Sequence, residues 1–313
     1  MFTRRHMMGA AAALSLLAGA GAAFAQDVYV PLISKGFQHQ FWQAVKKGAD
    51  KAGQELGVRV TFDGPDNETQ VDKQIDMLSA ALANKPAAIG IAALDSQALI
   101  PQLKQAQDAG IPVIAFDSGV ESDIPVTTAA TENKAAAALA ADKLGEMIGG
   151  EGKVAVIAHS QATQTGIDRR DGFVDEMKAK FPNIEIVAIE FGDGDHLKST
   201  EITKALLAAN PDIKGIFGTN EGSAIGVLNG VREMGSKTVV VGFDSGKAQK
   251  DAIRSGEMAG AVTQNPVGIG YETVKAAVAA TKGETLPKTI DTGFYWYDKT
   301  NIDDPQIAAV LYD

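Results

Sequence analysis

Two segments of the sequence nearly match, IPVIAFDSG at residues 111–119 and TVVVGFDSG at residues 238–246. In each, an apolar, strand-like run ends in Phe-Asp-Ser-Gly, and the two aspartates, Asp117 and Asp244, are 127 positions apart (244 − 117). A repeat this long exceeds the roughly 20–50 residues of a solenoid unit. It predicts two α/β lobes of similar plan, each with an acid just beyond a buried strand. Because ligands of open α/β sheets bind outside the carboxyl ends of the strands, the two acids mark a candidate site.

The order of strand-like and helix-like patterns supports this division. The patterns alternate along the chain and restart near Thr131, and such alternation predicts βαβ units and parallel sheets. A restart in mid-chain favours two doubly wound lobes over one closed (β/α)₈ barrel. No Ser/Pro/Gly-rich linker separates the halves, so we expect short crossings near Thr131, Gln264 and Thr292.

The N-terminus has the pattern of an export signal. Two arginines at positions 4–5 precede a small, apolar stretch over 9–24, and Ala-Phe-Ala at 23–25 is a small-x-small cleavage site. The apolar stretch is shorter than the about 20 residues of a membrane span. The paired arginines leave both the Sec and the Tat route open. We expect a cleaved signal over 1–25 and an exported mature chain that begins at Gln26.

Composition excludes several classes of partner and site. The chain has 313 residues, 45 % of them apolar, which is enough for two cores. Without the two signal arginines its charge is 27 − 39 = −12, so nucleic acid and anionic membrane surfaces are poor partners. The absence of cysteine excludes disulfides and thiolate metal sites. We predict no metal and no cofactor.

Enzymatic motifs are weak. The segment GDGDHLKST at 192–200 lacks the glycine that precedes the lysine of a phosphate loop, and its aspartates would repel a phosphate. The remaining histidines have no metal-ligand spacing, and Gly-Ser-Ala at 222–224 does not continue into a nucleophile elbow. The enzymatic alternative is a secreted glycoside hydrolase that uses Asp117 and Asp244 as its carboxylate pair. The prediction is that the protein is not an enzyme.

Polar and aromatic residues instead gather at predicted strand ends and crossings. Carboxylates accept hydrogen bonds from hydroxyls, Lys and Arg donate to oxygens, amides do both, and aromatic faces cover the apolar side of a sugar ring. Each residue also has a structural explanation, such as helix core for the aromatics or a turn cap for the acids. The candidate ligand-binding residues are Lys35, His39, Phe41, Trp42, Asp117, Arg169, Asn220, Asp244 and Gln264.

At these residues the chain resembles the periplasmic substrate-binding proteins of bacterial sugar ABC importers, in particular the ribose/galactose-type cluster. The matching motifs cover essentially the whole mature chain: FWQAVKKGADKAGQELG (41–57), IAFDSG (114–119), DRRDGF (168–173), GTNEGSAIGVL (218–228), VVGFDSG (240–246) and GAVTQNPVGIG (260–270). The resemblance implies two Rossmann-like lobes joined by three crossover strands, the type I fold of that family. It also implies capture of a monosaccharide or polyol between the lobes, by a monomer that delivers it to the permease and touches the membrane only through that transporter.

The expected lobes are 26–130 plus 265–291 and 131–264 plus 292–313. Two departures from the family concern the ligand. Lys35 and His39 stand where ribose-binding relatives have small polar residues, and Gly194 stands where many relatives have a stacking aromatic. Lys35 and the FDSG segments also resemble autoinducer-2 receptors of the same fold, which is the second alternative. LacI-type repressors share the core, but they begin with a DNA-binding segment that this sequence does not contain.

Overall fold

The computed structural model describes residues 28–312, so the predicted export signal lies outside the described residues. This part of the chain forms two six-stranded sheets flanked by helices. The strands are β1 Tyr29–Ile33, β2 Arg59–Asp63, β3 Ile89–Ile91, β4 Val113–Phe116, β5 Thr127–Ala130, β6 Glu151–Ala158, β7 Asn183–Phe191, β8 Ile213–Gly218, β9 Val239–Phe243, β10 Gly260–Gln264, β11 Thr289–Asp291 and β12 Phe294–Asp298. The helices are α1 Gln40–Leu56, α2 Val71–Ala83, α3 Ile100–Asp108, α4 Asn133–Met147, α5 Gln164–Lys180, α6 His196–Ala209, α7 Glu221–Glu233, α8 Lys247–Ser255, α9 Pro266–Thr281 and α10 Pro305–Ala308.

The first sheet has the order β11-β5-β4-β3-β1-β2, and the second has β12-β10-β9-β8-β6-β7. We call each sheet, with the helices packed on it, the first and the second lobe. All strand pairs are parallel except β10 with β12, where Gln264 pairs with Phe294. The prediction of parallel sheets is wrong for this edge strand. The chain enters β12 directly from β11 at the carboxyl ends of the other strands, so it must run in the opposite direction.

Both sheets are covered on two faces, as strand alternation requires. In β1, Leu32 packs with the core beneath α1 and α9, whereas its neighbour Ile33 packs with the core beneath α2 and α3. In β6, Val156 and Ile157 divide in the same way between the α4/α5 side and the α7/α8 side. The predicted doubly wound α/β architecture is therefore confirmed.

The chain passes between the lobes three times. β5 of the first sheet leads into α4, which packs on the second; β10 of the second sheet leads into α9, which packs against α1; and β11 leads into β12. The three crossovers are confirmed, and they lie near the predicted Thr131, Gln264 and Thr292. No helix within residues 28–312 has the length and apolar character needed to cross a membrane.

Two glycines let α1 and α9 approach closely. A Cβ placed on Gly48 would lie 1.9 Å from Val267 O, and one on Gly270 would lie 1.9 Å from Val45 O. No larger side chain fits without moving the backbones apart. This close packing fixes α1, whose first turn carries the two aromatic residues of the candidate site.

Candidate ligand-binding site

Both repeat aspartates lie at the end of a strand in the left-handed region of backbone conformation. The φ angle of Asp117 is 55° and that of Asp244 is 78°. The backbone N–H of Asp117 donates to Ala129 O at 3.0 Å, and that of Asp244 donates to Val262 O at 2.7 Å. Residues other than glycine rarely adopt this backbone conformation, and such backbone strain concentrates at functional positions. The internal repeat thus corresponds to the same strained corner in each lobe.

The corner in the first lobe contains a buried ion pair. Lys35 Nζ lies 3.0 Å from Asp117 Oδ2 and donates to Thr165 Oγ1 of the second lobe at 3.1 Å. The contact with Asp117 lacks hydrogen-bond geometry, and within residues 28–312 Asp117 Oδ2 has no hydrogen-bond partner. One acceptor of this corner is therefore available to a ligand hydroxyl.

The corner in the second lobe is fully hydrogen-bonded. Asp244 Oδ1 accepts from Gln264 Nε2 at 2.7 Å, and Asp244 Oδ2 accepts from the backbone N–H of Glu221 at 3.0 Å. Gln264 Oε1 in turn accepts from Thr131 Oγ1 at 3.0 Å. Burial raises the pKa of the Asp244 carboxyl, while the charge of Arg169 opposes the shift.

Arg169 is held on three sides. Its Nε donates to Asn133 Oδ1 at 2.7 Å, its Nη1 donates to Thr219 O at 3.0 Å, and its guanidinium carbon lies 3.8 Å from the centre of the Phe243 ring. Only the planar guanidinium can make these contacts together. The side chain is therefore fixed before any ligand arrives.

His159, which the sequence analysis did not select, contacts two threonines of its own lobe. Its Nδ1 is 2.8 Å from Thr219 Oγ1 and its Nε2 is 3.1 Å from Thr165 Oγ1. Burial, reinforced by the charges of Lys35 and Arg169, lowers the pKa of His159 well below its usual range. The ring is therefore neutral.

The two predicted aromatics belong both to the core and to the site. Phe41 and Trp42 pack edge to face with ring centres 4.9 Å apart, and both belong to the core cluster of the first lobe. Both also line the cleft. Trp42 Nε1 donates to Glu68 Oε1 at 2.8 Å. Glu68, which is not among the predicted site residues, therefore adds a carboxylate to the wall of the site.

Three polar groups converge beside Gly194. A Cβ on this residue would lie 3.1 Å from Asn220 Nδ2, 3.4 Å from Glu68 Oε2 and 3.5 Å from His39 Nε2. Asn220 Oδ1 caps α7 by accepting from the N–H of Ser223 at 2.9 Å, so its Nδ2 remains for the cleft. Gly194 has φ +67°, so a larger residue here would be strained and would crowd these three groups.

All nine predicted site residues come together. They line one cavity with Glu68 and His159, and each of the nine is at most 8 % exposed. The cavity between these side chains is narrow. His159 directly follows β6, so the strand-end rule could have found it. Glu68 lies in the loop after β2, where no pattern marks it. No group of three potential metal ligands occurs among the described residues 28–312.

Further contacts join the lobes outside the cavity, and we call them the interlobe contacts. Gln40 Oε1 accepts from the backbone N–H of Lys247 at 2.7 Å, and Glu221 Oε1 accepts from the backbone N–H of Gln40 at 3.4 Å. Tyr312 follows the second-lobe segment but packs its ring on Phe41 of the first lobe. Its hydroxyl accepts from Ser245 N–H at 3.1 Å and donates to Glu221 Oε2 at 3.4 Å, both in the second lobe. The first residues of α1 and α8 are thus capped from the opposite lobe. With Lys35 bound to Thr165, these contacts define a closed conformation.

Comparison with known proteins identifies the family to which this fold and site belong. Residues 30–285 match the family described as periplasmic binding protein domain, and the chain belongs to that family. The D-allose-binding periplasmic protein of Escherichia coli is 29 % identical over 276 residues, which cover 85 % of this chain and 88 % of that protein. The ribose import binding protein RbsB of the same organism is 28 % identical and covers 88 % and 92 %.

Solved structures agree. An ABC transporter solute-binding protein from Agrobacterium vitis, bound with α-D-tagatopyranose, has 34 % identity, a TM-score of 0.87 and coverage of 91 % of this chain and 99 % of that chain. A carbohydrate transporter solute-binding protein from Agrobacterium radiobacter, in complex with D-arabinose, has 36 % identity, a TM-score of 0.88 and coverage of 92 % and 99 %. The predictions of a sugar-binding component of an ABC transporter, and of a protein that is not an enzyme, are confirmed. The glycoside hydrolase alternative is therefore wrong.

Proposed function

We propose that this chain captures one monosaccharide, or the corresponding polyol, between its two lobes in the periplasm and delivers it to the permease of its transporter. The observation that carries the proposal is the convergence of hydrogen-bonding groups from opposite lobes on one closed cavity. Lys35 and Asp117 face it from the first lobe, and Arg169, Asn220 and Asp244 face it from the second. Several donors and charged acceptors around one small space match the several hydroxyls of a sugar.

The aromatic pair and the relatives support the same ligand class. Phe41 and Trp42 supply apolar surface of the kind that covers the C–H face of a sugar ring. The relatives whose names or complexes include ribose, allose, tagatose and arabinose bind single sugars. We therefore propose that all nine predicted site residues contact the ligand. An autoinducer-2-type furanose remains the alternative ligand.

The cellular setting is part of the proposal. Residues 1–25 serve as the export signal, and the mature monomer meets the membrane only through its permease. The lobes divide at 130/131, 264/265 and 291/292, where backbone rotation opens and closes the cleft. The permease then distinguishes loaded from empty protein by the relative position of the two lobes.

The test is a ligand panel on the mature chain. Pentoses, hexoses, deoxy sugars, polyols and autoinducer-2 are screened by thermal shift, and positive ligands are titrated calorimetrically. We expect a sugar or polyol to bind at about 1:1 and to be recovered unchanged. Binding of autoinducer-2 alone would favour the alternative, and turnover of any sugar would exclude a purely binding role.

A further inference from the structure

The wall beside Gly194 contains more unengaged polar groups than the rest of the cavity. His39 is only 8 % exposed, so water cannot easily satisfy its ring. Within the described chain, His39 Nε2 has no hydrogen-bond partner. Glu68 commits Oε1 to Trp42, and no hydrogen bond to Glu68 Oε2 occurs among residues 28–312. Three groups therefore face one small space: His39 Nε2, which can donate or accept, the carboxylate oxygen Oε2 of Glu68, and the amide Nδ2 of Asn220.

The other charged groups of the cavity each have a partner within the protein, although Asp117 Oδ2 is left without a hydrogen bond. Arg169 donates to Asn133 and to the backbone of Thr219, and both carboxylate oxygens of Asp244 accept. Lys35 is paired with Asp117. Two carboxylate oxygens of the cavity, Asp117 Oδ2 and Glu68 Oε2, are therefore left to accept from ligand hydroxyls.

We propose that Glu68 is a further ligand-binding carboxylate, and that with His39 and Asn220 it forms a hydroxyl-binding subsite beside Gly194. The subsite takes one hydroxyl of an uncharged sugar: the hydroxyl donates to Glu68 Oε2 and accepts from Asn220 Nδ2 or from His39. Acidic sugars are rejected, because a carboxylate there would stand against Glu68. Although burial disfavours its charged form, the neighbouring charges of Lys35 and His39 lower the pKa of Glu68. The carboxylate is therefore ionised and ready to accept.

This inference rests on the proposed function, and one experiment separates the two. The mature wild-type chain is titrated calorimetrically with D-ribose, D-allose, D-arabinose, D-tagatose and D-fucose. The tightest sugar is then used with Glu68→Gln, and with Asp66→Asn as the matched control. Asp66 lies on the same loop, but its carboxylate is exposed and pairs with Lys73. We expect Glu68→Gln to weaken binding at least about tenfold and Asp66→Asn to leave it unchanged.

Deoxygenated analogues of that sugar identify the hydroxyl. One analogue should bind at least about tenfold more weakly than the parent sugar to the wild type, but as well as the parent sugar to Glu68→Ala. The sugar's acid counterpart should bind the wild type at least about tenfold more weakly than the parent. A wild type that binds no sugar would overturn the proposed function and this subsite with it. Sugar binding that Glu68→Gln leaves intact, equal losses for all analogues in both proteins, or tight binding of the acid would overturn the subsite alone.

Two further variants separate direct contact from indirect effects. Trp42→Phe removes the N–H that Glu68 accepts; if Glu68 only holds the indole, adding Glu68→Gln to this variant would cost nothing more. We expect a further loss of about tenfold.

Gly194→Ala places a methyl group in the subsite, and Gly57→Ala is its control. Gly57 has a similar φ of +66° but no atom within 4 Å of the added Cβ. Both variants meet similar backbone strain, yet only Gly194→Ala should weaken sugar binding. Equal affinities for the two alanine variants would contradict the subsite.

Discussion

The corners that hold Asp117 and Asp244 share a backbone but differ in their partners. Asp244 is bound by Gln264 and by the N–H of Glu221, from β10 and α7 of its own lobe. Asp117 pairs with Lys35, whose ammonium also bonds to Thr165 across the cleft. The second corner is therefore complete in the open and the closed protein, whereas the first is completed only on closure. One lobe offers a preformed site and the other an adaptable one.

The largest expected effect is that of Asp244→Asn. The new amide can accept from only one of the two donors, Gln264 Nε2 and the Glu221 N–H, and its NH₂ group must face the other. Hydrogen bonds to charged groups contribute about 1.5–3 kcal/mol each, so the ligand-free protein should melt at least about 3 °C lower. Sugar affinity should fall at least about tenfold. Calorimetric melting and titration measure both, and an unchanged melting temperature would contradict the preformed corner.

Asp117→Asn should reduce affinity by a similar factor while leaving the stability of the ligand-free protein nearly unchanged. In the open conformation Lys35 can reach water, so loss of its partner costs little there. In the closed conformation it would be a buried charge without a counterion, which is strongly unfavourable. X-ray scattering should show the ligand-free variant more open than the wild type. A large drop in its melting temperature would mean that the two corners are equivalent.

Arg169→Lys tests the rigidity of the second lobe. A lysine cannot bond to Asn133 and to Thr219 O while lying flat on the Phe243 ring. We expect about a tenfold loss of affinity, measured by titration. Wild-type affinity in the Arg169→Lys protein would mean that Arg169 does not contact the ligand. Arg170→Lys, on the same helix, is the control.

The neutral His159 predicts a smaller effect that depends on pH. An unfolded histidine titrates near its usual pKa of about 6.5, whereas in the folded protein burial and nearby charges hold the pKa of His159 well below that. The stability contributed by the neutral ring is therefore complete above about pH 6.5 and is lost as the pH falls below it. Melting curves from pH 7.5 to 5 should show a smaller decline for His159→Gln than for the wild type. The exposed His196→Gln should not differ from the wild type, and parallel curves for all three would contradict the prediction.

The smallest change expected is that of Gln40→Ala at the interlobe contacts. Loss of one hydrogen bond, worth about 0.5–1.5 kcal/mol, should weaken every bound sugar by the same factor, roughly two to ten. The exposed Gln43→Ala on the same helix serves as control. Titration of two different sugars measures the ratio, and a change in their relative affinity would show that Gln40 acts within the site.

The two-lobe fold and the nine cavity residues could be predicted because each leaves a local mark in the sequence. The repeat locates Asp117 and Asp244, and strand ends locate Asn220 and Gln264. Pairing leaves no such mark: that Lys35 joins Asp117, and Gln264 joins Asp244, depends on the order of the strands in each sheet. Glu68 comes from an irregular loop and is recognisable only through its bond to Trp42. β11 and β12 follow each other without a helix between them, so the alternation of strand and helix patterns does not predict them.

The interlobe contacts have a consequence for how such a protein can be adjusted. Gln40, Glu221 and Tyr312 hold the lobes together without belonging to the predicted set of ligand-contacting residues. Changes there alter how readily the cleft closes, and so scale the response to every ligand alike, whereas changes in the cavity alter which ligand is preferred. Sensitivity and selectivity are therefore separate adjustments in this molecule. A sensor built on it could be matched to a chosen concentration range by substitutions at Gln40 alone, with its choice of sugar left as it is.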